Sequence, residues 1–120
     1  MPRKRNPESI LTERIRNILA LLRCPNFKHW GGPMGEKGIP DIIGVIPDLG
    51  QALFIEIKTP TGKVSDDQAA FLERYKAAGA LAFVARSVED VIKTLAGAGY
   101  SRAEGMFIQL GGAKVIKHDP

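Results

Sequence analysis

The chain has 120 residues, of which 44% are hydrophobic and 25% charged, so its length and composition fit one small globular domain. Its formal net charge of +4 permits a polyanionic partner such as DNA without requiring one. A single cysteine, Cys24, excludes an intrachain disulfide and a cysteine-built zinc site, and it favours a reducing, cytoplasmic compartment. We find no apolar run long enough to span a membrane and no recognisable secretory leader.

The first predicted elements are a basic tail and a helix. Residues 1–6 are expected to be disordered, and this tail carries three basic residues that either contact phosphates or remain solvated: Arg3, Lys4 and Arg5. The helix would begin after Asn6, a good N-cap residue, with Pro7 at its first position. Apolar residues at helical spacing predict that one face of this helix packs on the core: Leu11, Ile15, Ile18 and Leu22.

A short strand and a glycine-rich loop are predicted next. Phe27 to Trp30 forms the candidate strand, so Trp30 is either a core or sheet residue or a stacking platform for a nucleic-acid base. Lys28 and Lys37, on either side of the glycines, are candidate phosphate contacts. The glycines are too irregularly spaced for a nucleotide-binding loop, which excludes P-loop and Rossmann interpretations.

Two adjacent strands joined by a turn form the centre of the sequence. Apolar, β-branched runs at Ile42–Ile46 and Ala52–Ile57 are separated by a Pro-Asp-Leu-Gly turn. Asp41 opens the first strand, and Glu56 and Lys58 close the second on one shared face, because side chains alternate along a strand. Pairing of the strands would bring both carboxylates and the ammonium together, a group that suits a hard divalent cation such as Mg²⁺.

Simpler interpretations of these charged residues remain open at this point. Asp41 is otherwise a turn residue after Pro40, and Glu56 with Lys58 is otherwise the charge pattern of an edge strand. Both interpretations must explain why a carboxylate would be placed next to apolar strand positions, where desolvating a charge is costly.

A capping box marks the start of the next helix. Ser65 occupies the cap position and Gln68 follows three residues later, before an amphipathic stretch that ends at Gly79. Gln68 therefore has a structural explanation as the second residue of the capping box, which leaves room for a further role. Lys63, just before the helix, is a further candidate phosphate contact.

The C-terminal part is predicted as strand, helix and hairpin. Leu81–Ala85 reads as a short buried strand, and Ser87 caps a helix over Val88–Ala96. Strand, helix, strand order predicts a parallel crossover within a mixed sheet. Within Met106–Lys117, two apolar-rich runs surround Gly111 and Gly112, which is typical of a hairpin with a two-residue turn.

The order Asp41, Glu56, Lys58 within PD…ExK resembles the PD-(D/E)xK nuclease superfamily, and a longer string narrows the resemblance to its VRR-NUC branch, the virus-type replication-repair nucleases. That string is Gly38-Ile39-Pro40-Asp41, Glu56-Ile57-Lys58-Thr59-Pro60, Gly62-Lys63, Ser65 and Gln68. The resemblance covers roughly Thr12 to Val91. It implies an α/β, restriction-endonuclease-like fold: a mixed β-sheet flanked by helices in an αβββαβ core, with an added C-terminal helix and a possible hairpin, in one domain over residues 7–120.

The resemblance also implies the roles of individual residues. The catalytic set would be Asp41, Glu56, Lys58, Glu13 and Gln68. Asp41, Glu56 and the backbone carbonyl of Ile57 would hold Mg²⁺ or Mn²⁺, and Glu13 on the first helix would help to hold a second ion or to orient water. Glu13 falls nearly opposite the apolar stripe of its helix, however, so a solvated surface glutamate is the alternative.

The activity implied by the resemblance is metal-dependent endonucleolytic hydrolysis of DNA. Small stand-alone relatives resemble homodimeric resolvases of four-way (Holliday) junctions, in bacteria or phage. The alternatives are a catalytically inactive DNA-binding or assembly module and a flap or sequence-preferring endonuclease.

Overall fold

The computed structural model describes residues 6–32 and 35–112. These residues form eight helices and strands in chain order: α1 Pro7–Leu21, β1 Asn26–Lys28, β2 Ile42–Ile46, β3 Gln51–Ile57, α2 Asp66–Ala77, β4 Leu81–Ala85, α3 Val88–Gly97 and α4 Ser101–Gln109. The order from α1 to β4 is the predicted αβββαβ core. Arg3, Lys4 and Arg5 lie outside the described residues. None of the described helices has the length and apolar character needed to cross a membrane.

The strands form one mixed sheet in the order β1-β2-β3-β4. The first three strands pair antiparallel, while β3 and β4 run parallel and are connected through α2. A parallel pair cannot be joined by a tight turn, so the α2 crossover is the connection that this sheet requires. The predicted α/β class and mixed sheet are confirmed.

The hairpin of β2 and β3 sets the register on which the candidate site depends. Its turn places Asp48 and Gly50 in the left-handed region, at φ 67° and 61°, which an aspartate and a glycine tolerate better than most residues. Ile42 pairs with Ile55. Continuing this antiparallel register by one residue places Asp41 opposite Glu56.

One face of the sheet and helix α1 enclose the main core. Alternate strand residues that are fully buried meet buried residues of α1 and its C-cap residue Leu22: Ile42, Ile46, Leu53, Ile55, Ile57, Ile15, Leu19 and Leu22. Helix α3 packs against α1 and β4, and α4 packs against α3. The hydroxyl of Tyr100, at the start of α4, donates to the carbonyl of Leu22 and so ties α4 to the end of α1. Helix α1 is thereby held by its apolar face, as its sequence predicts.

Helix α2 covers part of the opposite face through aromatic side chains. Phe71 stacks on Tyr75 with 4.0 Å between ring centroids, and Phe54 of β3 meets both rings at 5.4 and 4.9 Å. Phe54, Glu56 and Lys58 share this face by strand alternation. The aromatic cluster therefore fixes α2 beside the charged end of β3.

Two predicted elements differ in the structure. Strand β1 ends at Lys28, and Trp30 is 78% exposed, so the interpretation of Trp30 as a core residue is wrong. The predicted first strand of the C-terminal hairpin is also wrong, because Met106 lies within helix α4. Ala103 is buried, and Met106 and Phe107 pack on the core three and four residues later, so their spacing is helical. The second run of that hairpin, from residue 113, lies outside the described residues.

Candidate active site

Asp41 is fixed between two neighbouring strands. Its carboxylate Oδ2 accepts a 2.8 Å hydrogen bond from the backbone N–H of Ile57, and its carbonyl accepts one of 2.7 Å from the N–H of His29. The first bond joins the start of β2 to the end of β3, and the second continues the pairing of β1 with β2. Asp41 is therefore held at the point where three strands come together.

Glu56 is the buried member of the site, with 3% of its surface exposed. Its Oε2 accepts a hydrogen bond of 3.1 Å from Gln68 Nε2 of α2 and lies 3.5 Å from Lys58 Nζ. Gln68 and Lys58 thus approach the same carboxylate oxygen, one from the helix and one from the strand. The structure brings together Asp41, Glu56, Lys58 and Gln68, four of the predicted catalytic residues.

The two carboxylates oppose each other electrostatically. Burial raises the pKa of Glu56, the charge of Asp41 and a hydrogen bond with Asp41 raise it further, and Lys58 partly offsets the rise, giving a pKa of about 8. Desolvation and a like charge both disfavour the ionised form. Glu56 therefore retains a proton near neutral pH unless a cation takes the place of that proton.

The oxygen donors at this strand end fit a hard divalent cation. Within residues 6–32 and 35–112, no group of three or more His, Cys, Asp or Glu residues is arranged to hold a metal by itself. Mg²⁺ and Mn²⁺ commonly need fewer, since Mg²⁺ is bound by one or two carboxylates together with water and substrate phosphate. Asp41 and Glu56 are two such carboxylates, and a cation would relieve the repulsion that raises the pKa of Glu56.

The start of helix α1 places a third acid, Glu8, beside Asp41, and the sequence analysis did not select it. A cavity of about 320 Å³ is lined by Glu8, Thr12, Lys28, Asp41 and Thr59, among others. Glu13, the acid predicted for this role, lines a separate groove. Glu8 lies in the first turn of the helix, directly after the cap and Pro7. An acidic residue is favoured there by the helix dipole, so Glu8 is explained without a functional site. Only the packing of α1 reveals that its N-terminus points towards Asp41.

The predicted phosphate contacts are distributed unequally around this cavity. Lys28 lines it, whereas Lys37 and Lys63 are exposed residues of the loops that precede β2 and α2. Gly38 follows Lys37 in the first of these loops, with φ at 81°. A Cβ at this position would come within 2.3 Å of the Asp67 carbonyl oxygen. A glycine is required at this position because the loop before Asp41 passes directly against the start of α2.

Arg86, at the end of β4, organises the loop that follows Lys58. Its Nη1 donates to the carbonyls of Thr59 and Gly62, both at 2.7 Å, and the side chain of Asp90 accepts from its backbone N–H. Nothing in the sequence indicated this role, because the partners are main-chain carbonyls of a distant segment. Arg86 holds the loop that forms the Thr59 wall of the cavity.

Replacing Arg86 by methionine is expected to lower the free energy of unfolding by about 1–3 kcal/mol, since two carbonyls lose a charged donor. The loop that carries Thr59 should become mobile, so DNA cleavage should fall even though no reacting group is removed. Urea unfolding and hydrogen exchange at residues 59–62 measure both effects. Unchanged exchange in this loop would contradict the assigned role of Arg86.

Gln68 makes the contacts that both interpretations of its position require. The side-chain Oε1 of Gln68 accepts from the backbone N–H of Ser65 at 2.9 Å. The backbone N–H of Gln68 donates to Ser65 Oγ at 3.2 Å, which completes the predicted capping box. The side-chain Nε2 of Gln68 donates to Glu56 Oε2. One side chain therefore links the helix cap to the buried carboxylate.

A pair of variants separates these two functions. Ser65→Ala removes a cap acceptor and leaves the Gln68–Glu56 bond, so it should cost about 1 kcal/mol of stability with little effect on cleavage. Gln68→Ala should cost a similar amount and also lower the rate of cleavage by about tenfold or more, because Glu56 loses a donor. Thermal unfolding and initial cleavage rates provide the comparison. Equal activity in the two variants would show that Gln68 acts only as a cap.

A mixed sheet that brings an aspartate, a glutamate and a lysine together where paired strands end defines a nuclease-type fold of the PD-(D/E)xK class. The chain belongs to the VRR-NUC family: the VRR-NUC domain model matches residues 5–89, well over half of its length. It is also similar to a solved VRR-NUC domain, with 26% sequence identity and a TM-score of 0.64, over 78% of this chain and 97% of that one. Among curated proteins, no sequence matches the chain significantly.

Proposed function

We propose that this protein is a metal-dependent endonuclease that hydrolyses phosphodiester bonds in DNA. Membership of the VRR-NUC family gives the nuclease class. The observation that carries the proposal is the contact of a buried carboxylate with its neighbours: Glu56 lies beside Asp41 and 3.5 Å from Lys58 Nζ. Burying a carboxylate beside a second acid and a lysine is costly without a ligand, so this arrangement supports a catalytic role.

The acidic residues of the site would hold the metal ion. Asp41, Glu56 and the Ile57 carbonyl would hold Mg²⁺ or Mn²⁺, with Glu8 as the nearby acid from α1 in preference to Glu13. When bound, the ion supplies a Lewis acid for the phosphate and lowers the pKa of the attacking water. Glu56 would have to be ionised to hold the ion, so it would release its proton to solvent when a cation takes the place of that proton.

Lys58 and Gln68, which both contact Glu56, have separate roles in the proposed reaction. The Lys58 ammonium positions water or offsets the charge that builds on the phosphate, and Gln68 fixes the orientation of Glu56. Attack of water at phosphorus with loss of the 3′ oxygen leaves a 5′-phosphate and a 3′-hydroxyl. Both products follow from one P–O bond formed and one broken.

For the substrate, we propose branched DNA, of which a four-way junction cut by a homodimer is one form. A twofold dimer presents two equivalent sites, which matches the two cuts that a symmetric junction needs. Light scattering that finds only monomer at the concentration used for cleavage would contradict the dimer.

The test is a panel of junction, flap, splayed-arm, single-stranded and plain duplex DNA, each with Mg²⁺, Mn²⁺ or EDTA. We expect cleavage with either metal, none with EDTA, and faster cleavage of branched than of plain duplex DNA. Binding without cleavage under every metal condition would instead identify an inactive DNA-binding module, and indifference to branching at a fixed duplex sequence would identify a sequence-preferring enzyme.

A further inference from the structure

A second, larger depression adjoins the candidate active site. This groove, of about 810 Å³, runs between helix α1 and the segment from Arg23 to Trp30. Ser9, Thr12 and Lys28 line both the groove and the smaller cavity of Asp41, so the two lie side by side. A strand of nucleic acid leaving the candidate active site on this side would enter the groove.

The charged lining of the groove suits a polyanion. Arg16, Arg23 and Lys28 contribute three positive charges, and Glu13 contributes one negative charge, which leaves a net charge of +2. Arg16 is held in place because its Nε donates to Asn26 Oδ1 at 3.1 Å. Phosphate groups bound by such cations release counterions, which gives affinity without sequence preference.

Trp30 gives the groove a flat apolar surface at its edge. The indole is 78% exposed, and Lys28 Nζ lies 3.9 Å from its ring centroid. The cation–π contact positions the ring and leaves most of it accessible to a ligand. Aromatic side chains stack on unpaired bases, whereas the faces of bases inside a duplex are covered by their neighbours. Trp30 is therefore suited to single-stranded rather than double-stranded DNA.

We propose that this groove binds an unpaired DNA strand that continues from the phosphate at Asp41, with one base stacked on Trp30. The proposal rests on the proposed nuclease function and specifies it: the preferred substrate has a single-stranded arm next to the cut. Arg16, Arg23 and Lys28 would bind the phosphates of the arm, and Trp30 would recognise the absence of base pairing.

Binding can be tested without cleavage, in EDTA, because Trp30 is the one tryptophan of the chain. Oligothymidylate should quench its fluorescence in a saturable manner, while a blunt duplex of equal length should cause little quenching. Trp30→Ala should weaken oligothymidylate binding by about fivefold or more in an anisotropy assay, the loss of one base–aromatic stack. Phe27→Ala is the matched control, since Phe27 is also an exposed aromatic of this segment, at 56%, but does not line the groove.

Cleavage assays then separate the failure of this proposal from the failure of the nuclease assignment. We expect the wild-type protein to cut a splayed-arm substrate faster than plain duplex, Trp30→Ala to lose that preference, and Phe27→Ala to keep it. Equal quenching by duplex and single strand, or an unchanged preference in Trp30→Ala, would overturn the groove proposal. If the wild-type protein cuts no DNA but Trp30 still responds to the single strand, the groove binds as proposed and the nuclease function is wrong.

Discussion

Replacing Lys58 by methionine is expected to lower the rate of DNA cleavage by about 10²–10³-fold, the usual cost of removing one group that stabilises transition-state charge. Methionine keeps much of the apolar stem of the side chain and removes only the ammonium. Glu56, 3.5 Å away, then loses its nearest cation. Because the pKa of Glu56 is already raised to about 8, the protonated acid needs no counter-charge, and the folded protein should remain intact.

Single-turnover cleavage at saturating protein measures this effect without interference from DNA binding. Lys63→Met is the matched control, because Lys63 is an exposed lysine of the loop that follows. Its loss should change cleavage by no more than about threefold and should act mainly through DNA affinity. Cleavage by Lys58→Met at the wild-type rate would show that Lys58 has no part in the mechanism and that the carboxylates act without it.

Replacing Glu56 by glutamine is expected to change activity and stability in opposite directions. Cleavage should fall by about 10³-fold, since a neutral amide is a poor replacement for a carboxylate ligand. Without metal, however, the variant should unfold at a higher temperature than the wild-type protein at alkaline pH. The amide can still accept from Gln68 and Lys58, and it carries no charge to oppose Asp41.

The sign of the pH effect follows from the raised pKa of Glu56. From its ordinary value of 4.5 to about 8, the folded state keeps a proton that the unfolded state has released. The stability of the wild-type protein therefore decreases as pH rises through this window, and Glu56→Gln lacks that decrease. Each pKa unit corresponds to about 1.4 kcal/mol, so between pH 4.5 and pH 8.5 we expect the stability difference to shift in favour of the variant by about 2 kcal/mol or more.

Thermal unfolding in EDTA across this pH range provides the measurement, with the exposed Glu73→Gln on α2 as the charge-matched control. Addition of Mg²⁺ should raise the unfolding temperature of the wild-type protein, because a ligand that binds only the folded state stabilises it. The same addition should have little effect on Glu56→Gln. Parallel pH profiles for both proteins would show that the two carboxylates are not coupled.

The periodic parts of the fold were predictable because local chemistry determines them. Asn6 caps α1 and Ser65 caps α2, each through a side chain three residues from its partner N–H. The error at Met106 has a local cause as well. A short apolar run next to a glycine pair is compatible with strand or helix, and only packing of the run against α3 decides between them.

The order of residues by itself determined the family and the β2–β3 hairpin. It also determined that Asp41, Glu56 and Lys58 would lie together, since pairing register and side-chain alternation are set along neighbouring strands. Only the tertiary structure decided that Glu8 rather than Glu13 shares the cavity of Asp41, that Arg86 holds the loop after Lys58, and that Trp30 is exposed. The reason is physical. These positions depend on how a helix is placed against the sheet and on main-chain carbonyls distant along the chain, and no local pattern encodes either.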